Sequence, residues 1–154
     1  MVQPLRQINL QLSSAGQPAA DDLQQLATAG FKSVLNLRTP GEATFLANEQ
    51  QQAEAVGLVY GHVPLSSQQS DAQQVNEAIK LVQDLPKPVL IHCASGARAT
   101  AIALLAIASE QSWTATQLGQ EAEKLGLSLE QPHLQSFLQK QPAGLDSVTD
   151  ENSP

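Results

Sequence analysis

Apolar and polar positions in this chain change period repeatedly, and each change marks a predicted element. Arg6 to Leu12 alternates with a period of two, which predicts an edge strand. Ser13-Ser14-Ala15-Gly16-Gln17-Pro18 has the composition of a turn. Ala19 to Ala29 then predicts a helix closed by Gly30, and Lys32-Ser33-Val34-Leu35-Asn36-Leu37 a second strand ended by Thr39-Pro40-Gly41. Phe45 to Val56 reads as a helix with Gly57 as its stop, and Leu58 to Val63 as a further strand. Beyond the loop from Pro64 to Ser70, Val75, Ala78, Ile79 and Val82 fall at helical spacing, until Leu85-Pro86-Lys87-Pro88 ends that helix. Val89 to Ile91 is a short buried strand, and Ala99 to Ser109 is apolar almost all round, as in a helix enclosed by its neighbours. Helices are also expected over Thr114 to Leu125, where Thr114 and Gln117 suit a capping box, and over Gln131 to Gln139.

Strands alternating with helices predict an α/β fold: a mostly parallel sheet flanked by helices on both sides, followed by a helical C-terminal part. Residues 1–140 are expected to form one domain. The polar, acidic stretch 141–154, bounded by proline, is expected to be a disordered tail. In such sheets ligands bind at the carboxyl ends of the strands, where Cys93 follows Val89 to His92.

Composition narrows the function classes. The 154 residues suit one domain with a real core, and 42% hydrophobic content suits a soluble globular chain. The net charge is −7, and the eight Lys and Arg are scattered, so neither a nucleic-acid surface nor a membrane-binding patch is expected. A single cysteine allows no internal disulfide and no multi-thiolate metal site. His62, His92 and His133 lack close ligand spacing, so neither a metal nor another cofactor is expected. The N-terminal residues lack the apolar core of a signal peptide, and Ala99 to Ala108 is too short to span a bilayer. A cytoplasmic, reducing location follows as an expectation, one that suits a thiol enzyme.

The chemistry concentrates in His92-Cys93-Ala94-Ser95-Gly96-Ala97-Arg98. A strand that turns tightly into a helix aims several backbone N–H groups and the positive end of the helix dipole at one spot, which favours anions. Cysteines at such spots become thiolates near neutrality. A lone cysteine at a strand end is most often a small core hydrophobe. Here Gly96 can bring the backbone close to a ligand, Arg98 offers a planar fork for phosphate or sulfate oxygens, and His92 can fix the loop. Arg38 and Glu42 follow a strand on the same side of the sheet. Glu42 could orient Arg98 through a bidentate pair, or Arg38 alone could tie down the loop. His62 reads as a strand-end residue, His133 as a surface helix residue and Trp113 as a core or cap contact, with no chemistry assigned to them.

The order of several segments resembles the protein tyrosine and dual-specificity phosphatase superfamily. The nearer likeness is to its small bacterial branch, found alone or fused in front of a β-lactamase-like hydrolase domain. The resemblance spans about residues 8 to 127. It rests on Ser14-Ala15-Gly16-Gln17-Pro18, on Gly30 to Glu42, on Ala53-Glu54-Ala55-Val56-Gly57-Leu58, on Val63-Pro64-Leu65 and on the Cys93 loop. It implies a metal-independent phosphate monoester hydrolase. Cys93 would attack phosphorus and form a phosphocysteine, loop N–H groups and Arg98 would hold the equatorial oxygens, and His92 would help keep the thiol deprotonated. The substrate would be a phosphorylated small molecule or a phosphoprotein.

Three positions depart from the superfamily pattern. Four residues rather than five separate Cys93 from Arg98, a spacing shared with rhodanese-type sulfurtransferases. Ala99 stands where a serine or threonine usually stabilises the departing thiolate, and Thr100 lies one position on, roughly 100° around the helix. The general acid falls to Asp71, 22 positions before Cys93 (93 − 71), although an aspartate there also suits a helix N-cap. Two alternatives therefore stand beside the phosphatase: a sulfurtransferase or persulfide carrier, and a catalytically weak anion-binding module.

Overall fold

A computed structural model describes residues 2–140, so the tail expected over 141–154 lies outside the described residues. Five strands, β1 (Leu5–Gln7), β2 (Leu12–Ala15), β3 (Ser33–Asn36), β4 (Val59–His62) and β5 (Val89–His92), form one sheet in the order β1-β2-β5-β3-β4. Only β1 runs antiparallel to its neighbour. Six helices accompany them: α1 (Ala20–Thr28), α2 (Glu49–Ala55), α3 (Ala72–Asp84), α4 (Ala97–Gln111), α5 (Ala115–Lys124) and α6 (Pro132–Lys140). The α/β architecture is the one expected.

The strand alternation decides which residues face which helices. Leu35 and Ile91 point to one side, into a core shared with α3 and α4. Val34 and Leu90 point to the other, against Leu23 and Leu26 of α1 and Ala53 of α2. Helix α4 is buried continuously from Arg98 to Ala108, as its apolar circumference predicts, and α5 and α6 pack on it from outside. Thr114 and Gln117 form the expected capping box of α5. Among the described residues, no helix is long and apolar enough to cross a membrane.

Three local expectations are corrected. Arg6 to Leu12 is not one strand. The Asn9 Oδ1 accepts from the N–H groups of Gln11 and Leu12 at 2.8 and 2.9 Å, an Asx-type turn that breaks the alternation and folds β1 back on β2. Ser13-Ser14-Ala15, expected in a turn, lies within buried β2 beside β5. Small side chains there let α4 lie close on the sheet, and the Ser14 hydroxyl is satisfied by Thr100 at 2.8 Å, so tertiary burial overrides turn composition.

The helix expected from Phe45 begins only at Glu49. The preceding carbonyls of Ala43 and Thr44 are drawn toward the Arg38 guanidinium at 2.5 and 3.2 Å, which takes them out of a helical ladder. The register places Ala15, His92, Asn36 and His62 side by side at the carboxyl ends of four adjacent strands. The candidate chemistry is assembled along that edge.

Candidate active site

The Cys93 loop is held by its backbone before any side chain acts. Cys93 N–H donates to the Ala15 carbonyl at 3.2 Å as β5 ends, and Gly96, at φ +102°, turns the chain into α4. That left-handed conformation favours glycine. Gly16 of the facing segment is needed for a different reason: a Cβ there would stand 2.9 Å from the Ala94 carbonyl oxygen and 3.0 Å from that of Gln3. The Gly96 N–H donates to the Cys93 Sγ at 3.1 Å. Cys93 is 1% exposed, with its sulfur at the N-terminal end of α4, where the helix dipole and the first-turn N–H groups favour a negative charge.

Arg98, the second residue of α4, reaches back across this opening. Its Nη1 donates to Glu42 Oε2 at 2.6 Å and to the Leu65 carbonyl at 2.9 Å, while its Nη2 donates to Glu42 Oε1 at 2.9 Å. A guanidinium has five N–H groups. These three contacts leave the Nε–H and one Nη2–H, which Cys93 or an anion can engage. The pair with Glu42 raises Arg98 above its already high ordinary pKa, burial opposes this, and Cys93 adds to the rise through charge and hydrogen bonding. The Glu42 carboxyl is lowered to about 2, chiefly by Arg98, with Thr39 N–H and Arg38 acting in the same direction and burial against them.

Glu42 forms the bidentate pair with Arg98 weighed from the sequence, and it also holds Arg38, which therefore does not tie the loop down alone. Arg38 Nε donates to Glu42 Oε1 at 3.1 Å, and its Nη1 donates to Gln17 Oε1 at 2.8 Å. The Arg38 N–H is held by Asn36 Oδ1 at 2.8 Å, and its carbonyl accepts from His62 Nε2 at 2.6 Å. Arg38 is 2% exposed and is therefore an internal brace.

The remaining sequence candidates occupy distinct places. His92 is fully buried, with Nε2 2.5 Å from Glu49 Oε2 and Nδ1 3.3 Å from the Cys93 carbonyl oxygen. The Thr100 hydroxyl donates to the Gly96 carbonyl at 2.9 Å and pairs with Ser14, so it secures the loop's backbone. Ala99 is buried in the core. Asp71 caps α3, its Oδ1 accepting from the N–H groups of Gln73 and Gln74 at 2.9 and 3.2 Å. No hydrogen bond joins it to Cys93 or Arg98 among the described residues. Trp113 packs against the α4 core, and His62 ends β4.

His133 corrects its expected surface placement. It is 1% exposed, its Nε2 donates to the Ser66 carbonyl at 2.9 Å, and its Nδ1 lies 3.3 Å from Ser70 Oγ. Burial lowers its pKa, the Ser66 bond opposes this, and Arg98 is near enough to lower it further. Sequence reasoning also missed Glu49 and the role of Gln17. Gln17 Nε2 donates to Glu49 Oε1 at 2.7 Å. Nothing in the spacing of Glu49 and His92 marks them as partners across 43 positions. Among the described residues, no group of three or more His, Cys, Asp or Glu is placed to hold a metal ion.

A family model described as "Beta-lactamase hydrolase-like protein, phosphatase-like domain" matches residues 4–110. The chain is 33% identical over 101 residues to a beta-lactamase hydrolase-like protein of Agrobacterium fabrum, covering 64% of this chain and 23% of the relative. It thus spans about a quarter of that protein's length. A DUF442 protein from Shewanella putrefaciens CN-32 superposes with a TM-score of 0.74 at 26% identity, over 90% of this chain and 91% of that one. Tk-PTP in its active form shares the fold, with a TM-score of 0.69 at 19% identity over 92% and 97% of the two chains.

Proposed function

The chain belongs to the phosphatase-like domain family of the beta-lactamase hydrolase-like proteins, and from that premise we propose that it is a cysteine-dependent phosphate monoester hydrolase acting through a phosphocysteine on Cys93. The observation that carries the reading is the joint placement of Cys93 and Arg98. The sulfur accepts the Gly96 N–H at the start of α4, and Glu42 holds the guanidinium by one edge, so that two N–H groups remain for phosphate oxygens.

The Cys93 thiolate attacks phosphorus: an S–P bond forms, the ester O–P bond breaks, and the departing oxygen takes a proton from Asp71. Water then attacks the phosphocysteine. Its oxygen bonds to phosphorus, the S–P bond breaks to regenerate the thiolate, and Asp71 recovers the proton. Both cap bonds of Asp71 end on Oδ1, which leaves Oδ2 to carry that proton. Ser95, Gly96, Ala97 and Arg98 supply the N–H groups of a cradle one residue shorter than the superfamily's. Thr100 steadies it through the Gly96 carbonyl.

The substrate in this reading is a phosphorylated small molecule or a phosphoprotein, met in the reducing cytoplasm, where Cys93 stays a thiol. Dual specificity toward phosphorylated side chains belongs to the same proposal. Sulfur transfer gains no support from the family match or the fold neighbours, which point to phosphatases.

The test is hydrolysis of p-nitrophenyl phosphate in chelator from about pH 5 to 8, wild type beside Cys93→Ser and Arg98→Lys. Turnover should vanish in the first variant and fall severely in the second, where the planar fork is lost. Equal activity in wild type and Cys93→Ser would overturn the proposal.

A further inference from the structure

His133 is a polar side chain, 1% exposed, that the proposed reaction does not use. It stands in the first turn of α6, outside residues 4–110 matched by the family model. The Gln131 Oε1 accepts from the N–H groups of His133 and Leu134 at 2.9 and 3.0 Å, and Leu134, fully buried, seats this turn in the core built around α4. The ring therefore starts from a rigid base. Both of its nitrogens end on one stretch of chain: Nε2 donates to the Ser66 carbonyl at 2.9 Å, and Nδ1 shares a hydrogen bond of 3.3 Å with Ser70 Oγ.

Residues 66–71 contain neither helix nor strand, and Ser67, Gln68 and Gln69 are exposed. Left to itself, such a segment samples many conformations. Its internal bonds are local: the Ser66 Oγ accepts from the N–H groups of Gln68 and Gln69 at 3.0 and 3.2 Å. On one flank the Leu65 carbonyl accepts from Arg98 Nη1 at 2.9 Å, and on the other Asp71 caps α3.

We propose that His133 is a positioning residue for the general acid: its ring ties both ends of the 66–70 loop to α6, so that Asp71 is presented to the site from a fixed segment. A proton donor must lie within hydrogen-bond reach of the leaving oxygen, and a misplacement of about 1 Å can cost about 10²-fold in rate. Leu65, which receives Arg98, is the neighbour of the tied Ser66, so one short segment links the arginine that holds phosphate to the acid. The clamp works whether the ring is neutral or charged. The Ser66 carbonyl takes the Nε2–H in both cases, and the Ser70 hydroxyl can donate to Nδ1 or accept from it.

The catalytic consequence rests on the phosphatase reading, whereas the clamp itself does not. The experiment compares the intact chain as wild type, His133→Ala and Ser70→Ala, by amide hydrogen exchange and by kcat for an alkyl phosphate beside p-nitrophenyl phosphate. Both variants should exchange faster over residues 65–72, with the Cys93 loop unchanged. For the alkyl ester, kcat should fall about tenfold or more in His133→Ala and about threefold in Ser70→Ala, which keeps the Ser66 bond. For p-nitrophenyl phosphate it should stay within about twofold, because nitrophenolate leaves without a proton. A residue that merely supported the fold would lower both rates alike. In Asp71→Asn the ratio of the two rates should already be shifted, and adding Ser70→Ala should shift it no further.

Unchanged exchange over 65–72 in both variants would overturn the clamp, and an unchanged ratio of alkyl to aryl rates would overturn its role in catalysis. Ser70→Ala, a small change at a half-buried side chain, decides both points if His133→Ala does not fold. Faster exchange without any Cys93-dependent turnover would support the clamp and sink the phosphatase reading.

Discussion

Glu42 clasps Arg98 with both carboxylate oxygens, at 2.6 and 2.9 Å, although the two residues lie 56 positions apart. Arg98 is 5% exposed, so removing Glu42 leaves a buried cation without its counter-charge. Glu42→Ala should cost about 2–4 kcal/mol in urea unfolding and should raise KM for phosphate esters, because the fork loses its orientation.

The same pair sets an acid dependence. The Glu42 carboxyl is lowered to about 2 from 4.5, so the unfolded chain takes up its proton before the folded one does. The stabilisation is complete above about pH 4.5 and is lost as pH falls toward about 2. Wild type and Glu42→Gln should therefore converge in stability over that range. A gap that stays constant down to about pH 2.5 would contradict the assignment.

His133 acts at milder pH. Burial lowers its pKa below 6.5 and Arg98 adds to the effect, so the unfolded chain binds the proton first. The neutral ring stabilises the fold above about pH 6.5, and that contribution declines as pH drops below it. His133→Gln, which can still donate to the Ser66 carbonyl, should flatten the fall in melting temperature between about pH 6.5 and 5. An unchanged slope would show that other groups carry it.

Gly16 and Gly96 should fail for different reasons. In Gly16→Ala the new methyl group meets the Ala94 carbonyl oxygen at 2.9 Å, so the loop must shift, at about 1–3 kcal/mol and with loss of turnover. In Gly96→Ala the nearest atom is 3.5 Å away, but φ is +102°, so the cost is backbone strain of about 1–2 kcal/mol. Denaturant unfolding beside kcat measures both. A neutral Gly16→Ala would refute the close approach.

Asp71→Asn separates the cap from the acid. Asparagine caps helices about as well as aspartate, so stability should hold, whereas Asp71→Ala should lose about 1 kcal/mol. Turnover of an alkyl phosphate should fall about 10²-fold or more in both, and that of p-nitrophenyl phosphate less, since nitrophenolate leaves without a proton. Equal rates in Asn and wild type would confine Asp71 to capping.

Long-period patterns were the legible part of the fold. The spacing of Val75, Ala78 and Val82 marks α3, and the apolar circumference of Ala99 to Ala108 marks α4 as central. Short segments misled, because Ser13-Ser14-Ala15 carries a turn's composition into an interior strand. The buried Ser14 hydroxyl finds its partner in Thr100, 86 positions away.

For the site, the local run His92 to Arg98 by itself determined a strand, a glycine turn and a helix start that bring cysteine and arginine to one opening. Backbone geometry over seven residues dictates that much, wherever the chain goes next. Only the tertiary structure decided which groups would brace them. Glu42, Glu49, Gln17 and His133 come from other elements, and a charged or amide side chain carries no sequence mark of the partner it meets. Burial selects the pairing: once the elements pack, each polar atom brought inside must find a partner there or destabilise the fold.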